Sequence, residues 1–120
     1  MAKFLDDSVY DAALAEVATG TRLTICSGQP ADFSGIAGVS LGDVVMTGGD
    51  YTISDAAPNG RKTTVATKVV TPTGTGTVTV LAIDDGATLL TTTDLTTPFN
   101  VTTGVPANSG SFEVTFPDAV

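Results

Sequence analysis

Two adjacent carboxylates, Asp84 and Asp85, are by type and spacing the strongest candidates in this sequence for catalysis or metal binding. They lie between two apolar runs in the segment VLAIDDGATLL, residues 80–90. Paired carboxylates can act as general acid and base, or supply oxygen ligands to a metal ion. Asp followed by Gly is also among the strongest hairpin signals, because this pair tolerates positive φ in a primed turn. We therefore predict a hairpin corner in which Asp84 ends a strand and its side chain bonds amides of the turn.

Other chemistry-bearing side chains are scarce. The chain has no His, which removes the usual catalytic triads, the HExxH motif and histidine-led zinc sites. The single Cys26 has no His to activate it and is predicted to be a half-buried small residue in a strand. Most other acids fall at predicted turns or at the start of a helix, which predicts ordinary solvated pKa values. We therefore expect no enzymatic activity and no cofactor.

A bound cation would need several oxygen ligands at defined spacing. No DxDxDG-like loop is present in the sequence. Calcium could still bind if acids from separate turns converge in space; the candidates are Asp43, Asp50, Asp55, Asp84 and Asp85. The prediction is that no metal is bound.

Length and charge limit the class of protein and of partner. With 120 residues the chain is predicted to form one domain over 1–120, large enough to bury about two-thirds of its unfolded surface. The formal net charge is −8 and the pI is near 4.1, which repels phosphate backbones and anionic membranes. The apolar runs are too short for a membrane helix, and MAKFLDDSVY lacks the features of a signal peptide. We expect neither direct nucleic acid binding nor membrane association.

One segment, DSVYDAALAEVATG at 7–20, has helical periodicity, so an arm and helix are predicted over 1–20. Its apolar stripe and flanking apolar residues are Val9, Ala13, Val17, Tyr10 and Leu14. Asp7 or Ser8 can cap its start, and Gly20 suits a left-handed stop. A helix of about three turns is marginal alone, so the stripe must pack either on this domain's own sheet or on a neighbouring subunit.

After Gly20 the apolar period changes to two. TRLTICS at 21–27 sends Leu23 and Ile25 to one face, which is typical of a strand with one buried side. Further strands are predicted at 43–46, 50–54, 61–70, 77–83, 87–95, 99–103 and 111–116, separated by Gly, Pro and Asn turns. This pattern predicts a mainly β fold, an antiparallel β-sandwich or small barrel with one short N-terminal α-helix. Lys68 and Asp94 are expected to protect exposed strand edges.

Two features could contact a partner. Residues 28–42, GQPADFSGIAGVSLG, form a long predicted loop whose isolated apolar residues are Phe33, Ile36, Val39 and Leu41. Such a loop either folds over its own core or lies along a partner's surface. The basic pair Arg61 and Lys62, in a chain with five cations, is either a solvated strand end or an anchor for an acidic patch on a partner.

Three stretches together carry a resemblance: DSVYDAALAEVATGTRLTICSGQPADF, NGRKTTVA, and VTVLAIDDGATLLTTTDL followed by a Phe-containing final strand. They resemble the small structural proteins that many tailed bacteriophages encode near their capsid genes. In that family a D-x-x-x-D-A-A-L helix, a T-R-L-x-I-C-S strand with a nearby Pro, a G-R-K-x-T-V strand and an A-x-x-D-x-x-x-L-L hairpin recur in that order. The matching residues here are Asp7, Asp11 to Leu14, Thr21 to Ser27 with Pro30, Gly60 to Val65, and Ala82 to Leu90. Where that family often has an aromatic residue before the hairpin, this chain has Val80 and Leu81.

The resemblance implies a virion component, a capsid decoration or cement protein that stabilises the lattice of the major capsid protein. It implies synthesis in the host bacterial cytoplasm, a final place on the capsid surface, and assembly with copies of itself, a trimer by analogy. The alternative is a tail, adaptor or fibre-associated structural module that could bind host polysaccharide. The interface candidates are Phe4, Leu5, Val9, Tyr10, Phe33, Ile36, Val39, Leu41, Arg61, Lys62 and Phe116.

Overall fold

The computed structural model describes residues 7–55 and 60–116. Within these residues, two α-helices, α1 (Asp7–Val17) and α2 (Ile36–Val39), and a 3₁₀ turn at Gly48–Asp50 accompany nine strands. The strands are β1 (Arg22–Cys26), β2 (Ser40–Val45), β3 (Tyr51–Asp55), β4 (Arg61–Val65), β5 (Val69–Val70), β6 (Gly76–Asp84), β7 (Leu89–Val101), β8 (Ala107–Asn108) and β9 (Phe112–Phe116). The predicted fold class, mainly β with a helix near the N-terminus, is confirmed.

The described strands form three sheets, and all their pairings are antiparallel. The strand orders are β2-β1-β6-β7, β3-β4-β9 and β5-β8. One main core joins all three sheets with helix α1, as in a small β-sandwich. Its buried members are Val17, Leu23, Ile25, Leu41, Met46, Tyr51, Val65, Val70, Val78, Leu81, Ile83 and Val101.

The four-stranded sheet is covered on both faces at its centre. Leu23 and Ile25 enter the main core as predicted, but Thr24 and Cys26 on the other face are buried as well. The prediction of one buried side was therefore wrong for β1. The reason is the segment 27–39, which crosses the outer face and packs Val39 on a second small cluster that includes Cys26. The outer face is the side of β1 that carries Thr24 and Cys26.

Strand β7 joins two segments that the sequence predicted as separate. Val78 pairs with Phe99 and Val80 with Asp94, so one residue of β6 faces four residues of β7 in a wide bulge. Pro98 lies in this bulge, on an edge strand, where its missing N–H costs no ladder hydrogen bond. Asp94 therefore lies on an exposed sheet edge, as expected.

The predicted strand at 61–70 is divided into β4 and β5. Lys68 lies between them, and its backbone N–H donates to Ser109 Oγ over 3.0 Å. The Lys68 ammonium pairs with Asp50 at 3.2 Å. Lys68 thus connects the 3₁₀ turn to this break between strands, and its predicted role as an edge residue was wrong.

Helix α1 packs on β3, β4 and β7 of its own chain. Its buried residues are Tyr10, Leu14 and Val17, spaced i, i+4 and i+7, whereas Val9 is 49 % exposed and Ala13 is exposed. The predicted stripe was therefore wrong by about one position. The helix therefore packs on the domain's own sheets, which is one of the two alternatives for its partner. Asp7 is the first residue of the helix, so the position that would cap it lies outside the described residues.

Gly20 follows the helix, but its φ is not positive, so the predicted left-handed stop was wrong. A glycine is needed at this position because neighbouring side chains pack closely against it. Tyr51 Oη donates to the Gly20 carbonyl over 3.1 Å, and a Cβ at position 20 would collide with Ile83 and the Tyr51 hydroxyl. In the described part of the chain, neither helix has the length and apolar character needed to cross a membrane.

Candidate binding cleft

The carboxylate of Asp84 is a structural group. Asp84 is fully buried, and its Oδ2 accepts a hydrogen bond from Arg22 Nε over 2.9 Å. Its Oδ1 accepts from the Gly86 backbone N–H over 2.9 Å, which confirms the predicted bond to the turn. Sequence analysis did not predict the pairing with Arg22, because the two residues are 62 positions apart.

Asp85 begins the turn that joins β6 to β7. Its Oδ1 accepts from the backbone N–H of Thr88 over 2.7 Å and of Ala87 over 2.9 Å. These bonds favour the charged form and lower the pKa of Asp85. The hairpin corner is confirmed, but the two-residue primed turn was wrong. The turn covers residues 85–88, between the paired Asp84 and Leu89, and only Gly86 has positive φ there.

Two other carboxylates also have lowered pKa values. The hydroxyl of Ser34 and the backbone N–H of Gly35 bond to Asp32 and lower its pKa. For Asp50 the largest cause is the backbone N–H of Thr47, which donates to Oδ2 over 2.8 Å, and Lys68 acts in the same direction. The prediction of ordinary pKa values was therefore wrong for Asp32 and Asp50, since local hydrogen bonds form at each turn.

The candidate calcium ligands among the described residues do not form one metal site. Asp50 pairs with Lys68, and Asp55 pairs with Arg61. Among residues 7–55 and 60–116, no group of three or more acidic, Cys or His side chains could hold a metal ion.

The basic pair Arg61 and Lys62 is engaged within the chain. Arg61 Nε donates to Asp11 Oδ1 over 2.8 Å, which ties helix α1 to β4, and the guanidinium also bonds Asp55. Asp11 first, and Asp55 second, raise the pKa of Arg61. Lys62 pairs with Glu113 on the neighbouring β9 at 3.1 Å. Neither residue is the free cation that an anchor for a partner's acidic patch requires.

The interface candidates are divided by burial. Tyr10, Ile36 and Leu41 are buried in this chain and expose almost no surface to a partner, and their assignment to an interface stays a prediction. Val39 is half-buried on the second cluster, and Phe33 is half-buried. Val9 is exposed. Phe4 and Leu5 lie outside the described residues, and Phe116 ends β9 at the limit of the described strand.

Cys26 is more deeply placed than predicted. It is fully buried in the second cluster, and burial raises the pKa of its thiol to about 11. A thiol in this environment remains protonated near neutral pH, so it is a poor nucleophile.

One corner of the outer face remains open. Segment 27–39 covers the part of this face near Cys26, and Gln29 Nε2 bonds Thr92 Oγ1 over 3.0 Å. Between this segment and the strands β1 and β2 lies a cleft of about 500 Å³, which we call the Arg22 cleft. It is lined by Arg22, Thr24, Phe33, Ser34, Ile36, Ala37, Ser40, Asp43 and Thr73.

Three groups in the Arg22 cleft retain hydrogen-bonding capacity. Arg22 uses Nε for Asp84, and its Nη groups have no hydrogen-bond partner within the described residues. Asp43, exposed and on the same face as its cross-strand partner Thr24, forms no ion pair in that part of the chain. Thr24 is 1 % exposed, and its Oγ1 has no partner among the described residues.

Apolar groups complete the wall of the Arg22 cleft. The guanidinium carbon of Arg22 lies 5.7 Å from the centroid of the Phe33 ring, a cation–π distance that holds the two side chains together. A second hollow of about 340 Å³ adjoins the cleft and shares Arg22 and Asp43 with it. This hollow is bordered by Val45, which is 72 % exposed. Exposed apolar surface therefore lies next to unpaired polar groups at this corner.

Sequence reasoning did not find the Arg22 cleft, although it selected Phe33. The cleft exists because segment 27–39 folds back over β1, and no local pattern encodes that crossing.

Comparison of the chain with protein-family models, curated proteins and solved structures finds no match.

Proposed function

We propose that this chain is a non-enzymatic structural protein of a bacteriophage particle, a capsid decoration protein that binds and stabilises the lattice of the major capsid protein. The proposal starts from the resemblance to small structural proteins of tailed phages. One structural observation supports it: residues of the four motifs that carry the resemblance pair with one another.

Two ion pairs join these motifs. Asp11, in the D-A-A-L helix, bonds Arg61 of the G-R-K strand over 2.8 Å. Arg22, in the T-R-L strand, bonds Asp84 of the final hairpin over 2.9 Å. Motifs that hold one another in place are parts of one framework, which favours a shared fold over four independent coincidences. The function associated with that framework is carried to this chain as a proposal.

Several of the predicted interface residues are buried or already paired within the described part of the chain, so a lattice contact needs other exposed residues as well. The exposed large apolar residues in the described part of the chain are Val9, Val45, Val69 and Val105. Of these, we place Val45 at the centre of the contact, because it adjoins the Arg22 cleft and its unpaired polar groups. Decoration by many copies needs only modest contacts, at about 25 cal/mol per Å² of apolar area, less the cost of association.

Cosedimentation with capsid shells that lack this protein tests the proposal. The wild type is expected to pellet with shells and to saturate at a fixed ratio. Wild-type protein that stays in the supernatant at saturating concentrations would show the decoration function to be wrong. Analytical ultracentrifugation of the free protein tests the trimer that the resemblance implies by analogy.

A matched pair of variants tests the surface. Val45→Asp is expected to weaken pelleting at least tenfold, because a charge would be buried against the lattice. Val69→Asp, a control on β5 at a residue that is 59 % exposed, is expected to pellet as the wild type does. The reverse ranking would move the contact away from Val45.

The alternative is a tail, adaptor or fibre-associated module that binds host polysaccharide. The observation in its favour is that Phe33, Asp43 and Arg22 share one cleft. Immunogold labelling of intact particles separates the two placements, since a decoration protein labels the shell and the alternative labels the tail.

A further inference from the structure

We infer that the Arg22 cleft is a binding site for a neutral oligosaccharide. This inference rests on the alternative above, the polysaccharide-binding module, and names the class of its ligand; it does not depend on the decoration function. It rests on the groups that line the cleft, and four observations narrow the chemistry of the ligand.

The first observation is the unsatisfied hydroxyl on the floor of the cleft. Thr24 is 1 % exposed and lines the cleft, yet its Oγ1 has no hydrogen-bond partner among the described residues. A buried polar group without a partner is costly, and native proteins normally satisfy it. A hydroxyl donates one hydrogen bond and accepts others, so a ligand group that does both is the best complement. Sugar hydroxyls have this property.

The second observation is that charges of both signs line the cleft. The Arg22 Nη groups are donors that repel a cation, and the Asp43 carboxylate is an acceptor that repels an anion. Arg22 is already neutralised by Asp84, and the chain as a whole carries −8, so an anionic ligand is further disfavoured. A neutral ligand rich in both donors and acceptors satisfies Arg22 and Asp43 together.

The third observation is the pattern of hydroxyl and apolar groups. Three more hydroxyl side chains line the cleft beside Thr24: Ser34, Ser40 and Thr73. The apolar lining comes from Phe33, Ile36 and Ala37. A pyranose ring presents hydroxyls around its edge and C–H groups on its faces, which matches polar contacts beside an aromatic ring.

The fourth observation concerns size and the neighbouring sheet edge. About 500 Å³ lies within the range of small-molecule sites. A peptide that added as a strand to β2 would need free backbone groups there. The Leu41 carbonyl already accepts from the N–H groups of Thr73 and Gly74. A peptide therefore could not pair along the whole of the β2 edge, which favours a short oligosaccharide over an extended strand.

Nitrogen-15 NMR titration of the full chain tests the site. The probes are the neutral trisaccharides maltotriose, cellotriose, laminaritriose and N,N′,N″-triacetylchitotriose, with trilysine and triglutamate as charged probes. At least one trisaccharide is expected to shift the amides of Thr24, Ser34 and Asp43 saturably, while the charged peptides do not. The inference is overturned if none does so up to about 20 mM, well above a millimolar dissociation constant. It is also overturned if a charged peptide binds there instead.

Two hydroxyl deletions provide matched variants. Thr24→Val and Thr63→Val each remove a buried Oγ1 that has no partner among the described residues, but Thr63 lies in the middle of β4 in the three-stranded sheet. Thr24→Val is expected to weaken the best trisaccharide at least tenfold, whereas Thr63→Val leaves its affinity unchanged. Equal affinity of both variants would contradict the assignment of Thr24 to the site.

An exposed variant keeps the test independent of folding. Asp43→Ala removes an exposed carboxylate acceptor and is expected to weaken the same trisaccharide at least fivefold without loss of the folded NMR spectrum. Unchanged affinity would exclude Asp43 as a ligand-binding group and overturn the inference. Capsid cosedimentation uses no sugar, so failure of the glycan site and failure of the decoration function are separate results.

Discussion

Arg22 and Asp84 are direct cross-strand partners in β1 and β6, and Arg22 Nε donates to Asp84 Oδ2 over 2.9 Å. The Asp84 carboxylate is fully buried, whereas the Arg22 side chain is 37 % exposed and borders the Arg22 cleft. The pair therefore has two roles. It satisfies a buried charge at the hairpin corner, and it holds a guanidinium in place at the edge of the proposed binding site.

The buried carboxylate predicts unequal effects at the two neighbouring acids. Asp84→Ala is expected to lower the free energy of unfolding by about 2–3 kcal/mol, since it removes the ion pair and the bond to the Gly86 amide. Arg22 can turn toward solvent, which keeps the loss below that of a wholly buried pair. Asp85→Ala is expected to cost less, because Asp85 is more exposed. Urea denaturation measures both, and a larger loss for Asp85→Ala would contradict the structural role of Asp84.

Close packing at Gly20 predicts a second stability effect. Gly20→Ala places a methyl group against Ile83 and the Tyr51 hydroxyl, and we expect a loss of about 2–3 kcal/mol from overpacking. Gly38→Ala is the control, because a Cβ there meets no atom within 4 Å and the position is helical. That control is expected to be neutral or slightly stabilising. Thermal or urea unfolding that ranks the two variants in the opposite order would contradict close packing at Gly20.

The lowered pKa of Asp50 predicts loss of stability in acid. The backbone N–H of Thr47 is the main cause, and Lys68 adds to it. Because the folded-state pKa lies below the unfolded value of about 3.9, the unfolded chain binds more protons in this range. The contribution is therefore complete above about pH 5 and is lost as the pH falls through the folded-state pKa.

Asp50→Asn tests this contribution, since Asn can still accept from the Thr47 amide but does not titrate. The difference in unfolding free energy between wild type and variant should be constant above about pH 5 and should shrink below about pH 4. Urea titrations from pH 2.5 to 7, at fixed ionic strength, measure it. A difference that grows in acid would have the wrong sign for a lowered pKa.

The burial of Cys26 predicts that its thiol reacts slowly with a labelling reagent. With its pKa raised to about 11, the folded protein at pH 8 presents almost no thiolate, and the sulfur is not accessible. Labelling by a disulfide reagent is expected to be at least about a thousandfold slower in buffer than in urea, because it requires opening of the fold. The control is a Cys26→Ala chain with Ser27→Cys, which places the thiol at the adjacent exposed position. Equal rates in the two chains would contradict the burial of Cys26.

Local patterns in the sequence predicted the secondary-structure elements better than the contacts that bury them. The helix after Asp7 and the corner at Asp85 depend on residues close together in the chain, and both are present. The alternation in 21–27 predicted a strand at β1, but it could not show that segment 27–39 covers the outer face. Thr24 was therefore expected at a solvated face and is instead buried.

The sequence by itself determined that this chain forms antiparallel strands with one amphipathic helix and tight polar turns. These features follow from apolar periodicity and turn chemistry, which act over a few residues. Tertiary structure alone decided that Arg22 bonds Asp84, that Arg61 bonds Asp11, and that an open cleft remains over Thr24. Each of these depends on contacts between segments far apart in the chain, because burial and charge pairing are set by which surfaces meet when the sheets and helix pack.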